Sequence, residues 1–272
     1  MLELLTTKFF INSLIAILTI SLVTGALGSM MIWQRLSYLG DSISHSSLLG
    51  ISIAMMLNIN LSIAIIFIAL IFAFLLSFSV DKLYSADTIL NVITNVSMAL
   101  GLVLISFFPN ANTNIMNSLF GDILMLGSED IIMVASISLA AIIAMIYRWK
   151  YWMITAINQD LAISEKINIV FTRLSFIVVL AVFISVSSQI IGILLINAFL
   201  VIPATAARLI SKNPTQMVIY STIISMISGI AGLFISAYLN TMSGASIILT
   251  CFFCLLCTYL FYLLRCLWGA SK

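Results

Sequence analysis

Charge is scarce in this 272-residue chain: Asp, Glu, Lys and Arg make up 7% of it, against roughly 25% in soluble domains. Hydrophobic residues make up 63%, and the mean hydropathy is +1.26. Such a chain cannot clothe a globule in polar surface. A soluble enzyme, an intrinsically disordered protein and a nucleic-acid binder are excluded together. Lys and Arg outnumber Asp and Glu by only 11 to 9, too small an excess to attract a polyanion. The four cysteines, Cys251, Cys254, Cys257 and Cys266, lie in or just past the last apolar segment, and none is spaced like a disulfide framework. There is no G-x-x-x-x-G-K-[ST] phosphate loop, no Ser/His/Asp set, no zinc-protease motif and no dinucleotide fingerprint. The chain therefore reads as a non-enzyme, and any ATP-driven work must come from another subunit. No short-period repeat is visible, and no small-residue cleavage site follows the first apolar run, which reads as an uncleaved span.

What is present is a succession of apolar runs. They fall near 9–33, 36–57, 60–80, 88–108, 129–147, 170–187, 189–207, 216–238 and 245–264. A helical membrane span needs about 20 apolar residues. The runs are continuous rather than alternating, which excludes a transmembrane barrel. The expectation is an all-α, polytopic integral membrane protein of about eight or nine transmembrane helices, a single membrane domain over 1–272. Placing Arg148–Arg173 inside puts Arg35, Lys82, Arg148, Lys150, Lys166, Arg173, Arg208, Lys212, Arg265 and Lys272 on the cytoplasmic side and leaves only Lys8 outside. The N-terminus is then outside and the C-terminus inside. The two helices within 170–207 are expected to turn around Ser187–Gln189. An outer piece, Ile115–Leu126, is too short to span and reads as re-entrant or interfacial. An inner amphipathic helix is expected around Asn158–Ile167. By pattern alone it is either a docking surface for a soluble partner or a solvated connector.

The residues that stand out are Asp41 and His45, the only histidine. With the second span starting near Arg35, Asp41 lies about 9 Å and His45 about 15 Å into the membrane, close to the centre of a hydrocarbon core about 30 Å thick. Spacing of four residues puts both side chains on one helical face. Ionisable groups at that depth are expensive and face a polar path or a partner. A carboxylate with an imidazole suits a borderline divalent ion such as Zn²⁺. Mutual pairing, pairing of Asp41 with Arg35, and a proton relay are the alternatives that spacing leaves open. Ser42, Ser44, Ser46 and Ser47 add hydroxyls to the same stretch. Asp122, Glu129 and Asp130 lie at the outer surface, where they either attract cations or a partner or are simply solvated. Cys251, Cys254 and Cys257 read as packing residues, with a soft-metal site the alternative. Pro203 interrupts the hydrogen bonding of its helix, and Gly25 and Gly28 permit close helix contact.

Four stretches resemble the permeases of the bacterial ABC-3 metal transporters. GALGSMMIWQRLSYLGDSISHSSLLG (Gly25 to Gly50) carries Gly40, Asp41 and His45 at the positions of a G-D-x-x-x-H pattern. SLFGDILMLGSEDI (Ser118 to Ile131), TAINQDLAISEKIN (Thr155 to Asn168) and IGILLINAFLVIPATAARLIS (Ile191 to Ser211) follow in the family's order. In the third, Lys166 replaces the usual glycine. Near the last helix, Asn240 to Gly244 lacks the family's aspartate and proline. The resemblance implies a permease subunit of an ATP-driven importer of a divalent transition metal, zinc first and manganese or iron second, in the bacterial cytoplasmic (inner) membrane. It implies no cofactor bound by this chain, ATP used by a cytoplasmic ABC ATPase subunit, an extracytoplasmic metal-binding protein, and a second permease copy in a homodimer. It further implies that Asp41 and His45 hold the ion and that Asp160, Leu161, Ala162 and Glu165 couple to the ATPase.

Overall fold

The computed structural model describes residues 8–79, 86–107, 123 and 126–269. Among them are nine long helices and one short one: α1 (Lys8–Trp33), α2 (Leu39–Leu57), α3 (Leu61–Ser79), α4 (Ala86–Ile105), α5 (Ser128–Ile157), α6 (Gln159–Ser164), α7 (Ile169–Ile191), α8 (Ile193–Ile210), α9 (Pro214–Leu239) and α10 (Ser243–Gly269). The long helices coincide with the nine apolar runs. Seven of the helices are long and apolar enough to cross a bilayer; α3 is apolar over a shorter stretch. The remaining long helix, α2, is diluted by Asp41, His45 and its serines. Over the described residues the chain is an all-α, multi-pass membrane protein. Most of the outer piece Ile115–Leu126, together with Lys82 and Lys272, lies outside the described residues.

Two boundaries differ from the sequence expectation. Helix α5 does not stop near residue 147 but continues to Ile157. RWKYWMITAI contains no helix breaker, so loss of hydropathy at Arg148 marks the membrane edge and not the helix end. The turn within 170–207 falls at Gly192 (φ 91°), not at Ser187–Gln189. Ser188 Oγ and Gln189 Nε2 both donate to the Ser185 carbonyl (3.2 and 2.9 Å), so these polar side chains are satisfied inside the helix. The left-handed backbone is left to the glycine, which adopts it without a Cβ clash.

The helices group into two compact units. One contains residues 1–32, 122–136 and 194–272. Here small residues set the spacing, as expected where lipid tails remove a hydrophobic drive and van der Waals contact must hold helices together. A Cβ on Gly25 would lie 2.5 Å from Thr222 Cα, and one on Gly28 would collide with the Leu200 carbonyl. Thr250 Oγ1 donates to the Ser228 carbonyl (2.7 Å), and Thr24 Oγ1 lies 3.3 Å from Ser225 Oγ. Pro203 sits inside α8, leaving the Phe199 carbonyl without its helical donor. Helix α9 ends on Asn240 in the left-handed region (φ 51°), which asparagine tolerates better than most residues. Ser236 Oγ then closes the turn on the Thr241 carbonyl (2.6 Å). We predict that Gly28→Val costs about 1–3 kcal/mol by overpacking. It should reduce membrane abundance in an immunoblot far more than Leu22→Val on the exposed side of α1.

The second unit contains residues 33–121 and 137–193. Helices α3, α4 and α7 pack around α2. Backbones approach closely here too: a Cβ on Gly50 would lie 2.7 Å from Ile65 Cα, and one on Gly101 2.9 Å from the Leu49 amide nitrogen. Within this unit Trp33, Arg35, Gln159 and Arg173 line one recess. Within the other, Ile210, Tyr220 and Arg265 line another.

Candidate metal site and cytoplasmic arm

Helix α2 brings Asp41 and His45 together. His45 Nε2 stands 3.3 Å from Asp41 Oδ1, with the histidine side chain 23% and the carboxylate 52% exposed. A charge-assisted hydrogen bond is shorter, about 2.7–2.9 Å. Two donor atoms on a tetrahedral Zn²⁺, each bonded at about 2.0–2.1 Å, stand about 3.3–3.4 Å apart. The two side chains pair with each other across one turn of α2, and the same spacing lets both atoms reach one ion. Among the described residues His45 Nδ1 is buried without a hydrogen-bond partner, and the Asp41 carboxylate beside Nε2 favours the proton on that nitrogen while the pair holds no ion.

The serines around the pair do not complete it. Ser46 Oγ donates to the Ile43 carbonyl (2.6 Å) and Ser47 Oγ to the Ser44 carbonyl (2.5 Å). Ser52 Oγ donates to the Gly101 carbonyl of α4 (2.9 Å). These hydroxyls are buried and back-bonded, so they serve close packing of α2. Ser42 alone stays beside Asp41, lining the same cavity of about 280 Å³ with Tyr38, Thr88, Asn91 and Thr94. Among the described residues no three His, Cys, Asp or Glu side chains form a metal-holding group. That applies to the cysteines: Cys251 is buried and its thiol contacts Ser228 Oγ (3.1 Å), whereas Cys257 is exposed. Asp122 lies outside the described residues. Glu129 is exposed, and Asp130 accepts from the Gly127 amide (3.0 Å) at the start of α5, where a carboxylate also meets the positive end of the helix dipole. The polar residues of α4, Thr88, Asn91 and Asn95, escaped a search for charge; their three- and four-residue spacing within an apolar run was the available signal.

The second construction is the arm at the inner end of α5. Asn158 Oδ1 accepts from the amides of Asp160 (2.8 Å) and Leu161 (3.4 Å), starting α6. The Ile167 amide donates to the Ala162 carbonyl (2.9 Å) and the Lys166 amide to the Ile163 carbonyl (3.0 Å), ending it. Ala162 is fully buried and anchors the turn, while Leu161 and Ile163 are 47% and 63% exposed. The arm therefore presents an apolar tip flanked by Asp160; Ile163 was not among the residues expected from the sequence. Glu165 faces Lys150 at 3.9 Å in an exposed pair that adds little. The stem is held more firmly. Trp152 is fully buried, donates to Ser175 Oγ (2.9 Å) and meets Phe176 edge-on at 5.2 Å. The Arg148 guanidinium lies 4.9 Å from the Phe171 ring, a cation–π contact. Lys166 has φ 57° where the family pattern has glycine. The left-handed region costs an L-residue about 1–2 kcal/mol. Lys166→Gly should relieve on the order of 1 kcal/mol after its own entropic cost, read as slower amide exchange over 158–168.

The fold is a multi-pass helical protein with a carboxylate–imidazole pair on α2 and a short arm, α6, with exposed Leu161 and Ile163. The chain matches the ABC 3 transport family over residues 6–262, and it belongs to that family. Among its relatives is the high-affinity zinc uptake system membrane protein ZnuB of Buchnera aphidicola subsp. Acyrthosiphon pisum, 37% identical over 240 residues, 87% of this chain and 92% of the relative. The manganese transport system membrane protein MntC of Listeria monocytogenes is 30% identical, over 89% of this chain and 86% of the relative. Among solved structures, PsaBC from Streptococcus pneumoniae superposes with a TM-score of 0.82 at 27% identity, covering 94% of this chain and 92% of that one.

Proposed function

We propose that this chain is the membrane-spanning permease subunit of an ATP-driven ABC importer for a divalent transition metal, zinc in the first place. The observation that carries the proposal is the Asp41–His45 pair on α2, with His45 Nε2 3.3 Å from Asp41 Oδ1, in a chain of the ABC 3 transport family. Two ligands make half of a four-coordinate site, so a second copy of the chain, contributing its own pair, completes it. The shared site strips hydration water from the ion yet releases it, because transport needs binding strong enough for entry and weak enough for exit. An extracytoplasmic metal-binding protein delivers the ion. A cytoplasmic ABC ATPase subunit receives the α6 arm, with Leu161 and Ile163 as its apolar contacts, Asp160 and Glu165 at its flanks and Ala162 as its anchor. ATP is bound and hydrolysed on that partner.

Zinc is preferred over manganese because imidazole suits Zn²⁺ while Mn²⁺ favours an all-oxygen set. The kinship to a manganese transport protein makes manganese the second reading. The test is uptake of radioactive zinc by cells lacking their own importer, expressing this chain with its ATPase and binding protein. Zinc uptake that persists in excess manganese supports the first reading. Uptake abolished by manganese, with manganese itself accumulated, supports the second.

A further inference from the structure

Helix α4 runs alongside α2 in the same direction. Ser42 Oγ donates to the Leu90 carbonyl (3.2 Å), Thr94 Oγ1 donates to Ser42 Oγ (2.7 Å), and Ser52 Oγ reaches the Gly101 carbonyl (2.9 Å). These partners differ by 48, 52 and 49 positions, so Asp41 and His45 stand level with the segment around Asn91 and Asn95. At about 100° per residue, Thr88, Asn91 and Asn95 share roughly 60° of the α4 surface. All three are exposed. Asn95 Nδ2 donates to Asn91 Oδ1 (2.6 Å) and to the Asn91 carbonyl (2.8 Å), which joins the two amides along the stripe. Further out, the same arc carries Met98 and Leu102, and the adjoining exposed surface carries Val92, Val96 and Val103. The polar stripe is thus confined to the inner half of the helix. Exposed amides are costly in hydrocarbon, so this stripe faces water and not lipid. The cavity that Asp41 lines with Thr88, Asn91 and Thr94, about 280 Å³, has room for several waters.

We propose that Thr88, Asn91 and Asn95 line the ion path beside Asp41 and His45, an oxygen-lined wall that runs from the level of the pair to Thr88 on its cytoplasmic side and takes a partly hydrated divalent cation as it leaves for the exit. This rests on the import reading above. Neutral hydroxyl and amide oxygens hold a transition-metal ion less tightly than a carboxylate with an imidazole, so this wall lets the ion pass without trapping it.

The experiment starts from the permease–ATPase complex with its native cysteines replaced by serine, reconstituted into vesicles with the ATPase side outward. Thr88→Cys, Asn91→Cys and Val92→Cys are exposed in turn to a charged, membrane-impermeant methanethiosulfonate. A water-filled path predicts modification at positions 88 and 91 at least tenfold faster than at 92. Equal, slow modification at all three places the stripe against lipid or a dry contact with a second copy and overturns the proposal. Asn91→Leu should then lower the maximal rate of zinc uptake about tenfold, with the half-saturating concentration little changed and Asn91→Ser restoring most of the rate. Wild-type uptake by Asn91→Leu overturns the role in the ion path. Modification rates report water access whether or not zinc is carried, so a complex that imports no zinc contradicts the import reading separately from the path.

Discussion

Replacing His45 with alanine should reduce zinc uptake by roughly a hundredfold or more at matched membrane abundance. Loss even of an outer-shell partner lowers metal affinity by about 10–100-fold, and this change removes a ligand from each copy at once. Asp41→Asn, which keeps the shape of the side chain and removes the charge, should fall nearly as far. The double variant should be little worse than either single one, because two teeth of one clamp are non-additive. Mutual pairing without a metal role predicts the opposite pattern. Removing both partners would then restore what removing one had damaged, since a buried polar group is most costly when left alone. The check is initial-rate uptake of radioactive zinc by wild type and the three variants.

The second large effect concerns the arm. Leu161→Asp together with Ile163→Asp should abolish co-purification of the ATPase and, with it, uptake. The two side chains are the exposed apolar tip of α6, and charge there cannot be buried against a partner. Because both face outward, the variant should fold and reach the membrane in normal amount. Trp152→Ala should act differently. It removes the buried support of the stem, costing about 3–5 kcal/mol, and should lower abundance before it lowers coupling. Pull-down per unit of membrane protein separates the two.

Much of this was legible in the residues. The nine apolar runs mark the nine long helices because membrane helices are written in hydropathy, and the contact of Asp41 with His45 follows from a four-residue spacing on one face. What hydropathy could not show is where a helix ends once it leaves the membrane, so the continuation of α5 through Arg148 to Ile157 was missed. Polar side chains that satisfy themselves on their own helix were equally opaque: Ser188 and Gln189 suggested a turn that Gly192 makes instead. The serines of α2 add hydroxyls to the stretch in sequence, but Ser46 and Ser47 spend theirs on carbonyls of their own helix, and Ser42 lines the cavity beside Asp41. Ala162 looked like a contact and is an anchor. Asn91 and Asn95 were overlooked because an uncharged amide leaves a weak mark in a composition dominated by apolar residues.

The most direct test of the central claim, one ion shared by the clamps of two chains, is X-ray absorption at the zinc edge on the purified permease loaded to saturation, with zinc counted per chain. The account predicts one zinc per two chains, a shell of nitrogen and oxygen at about 2.0–2.1 Å, and loss of that zinc in His45→Ala. One zinc per chain, or sulfur at about 2.3 Å from the α10 cysteines, would contradict it.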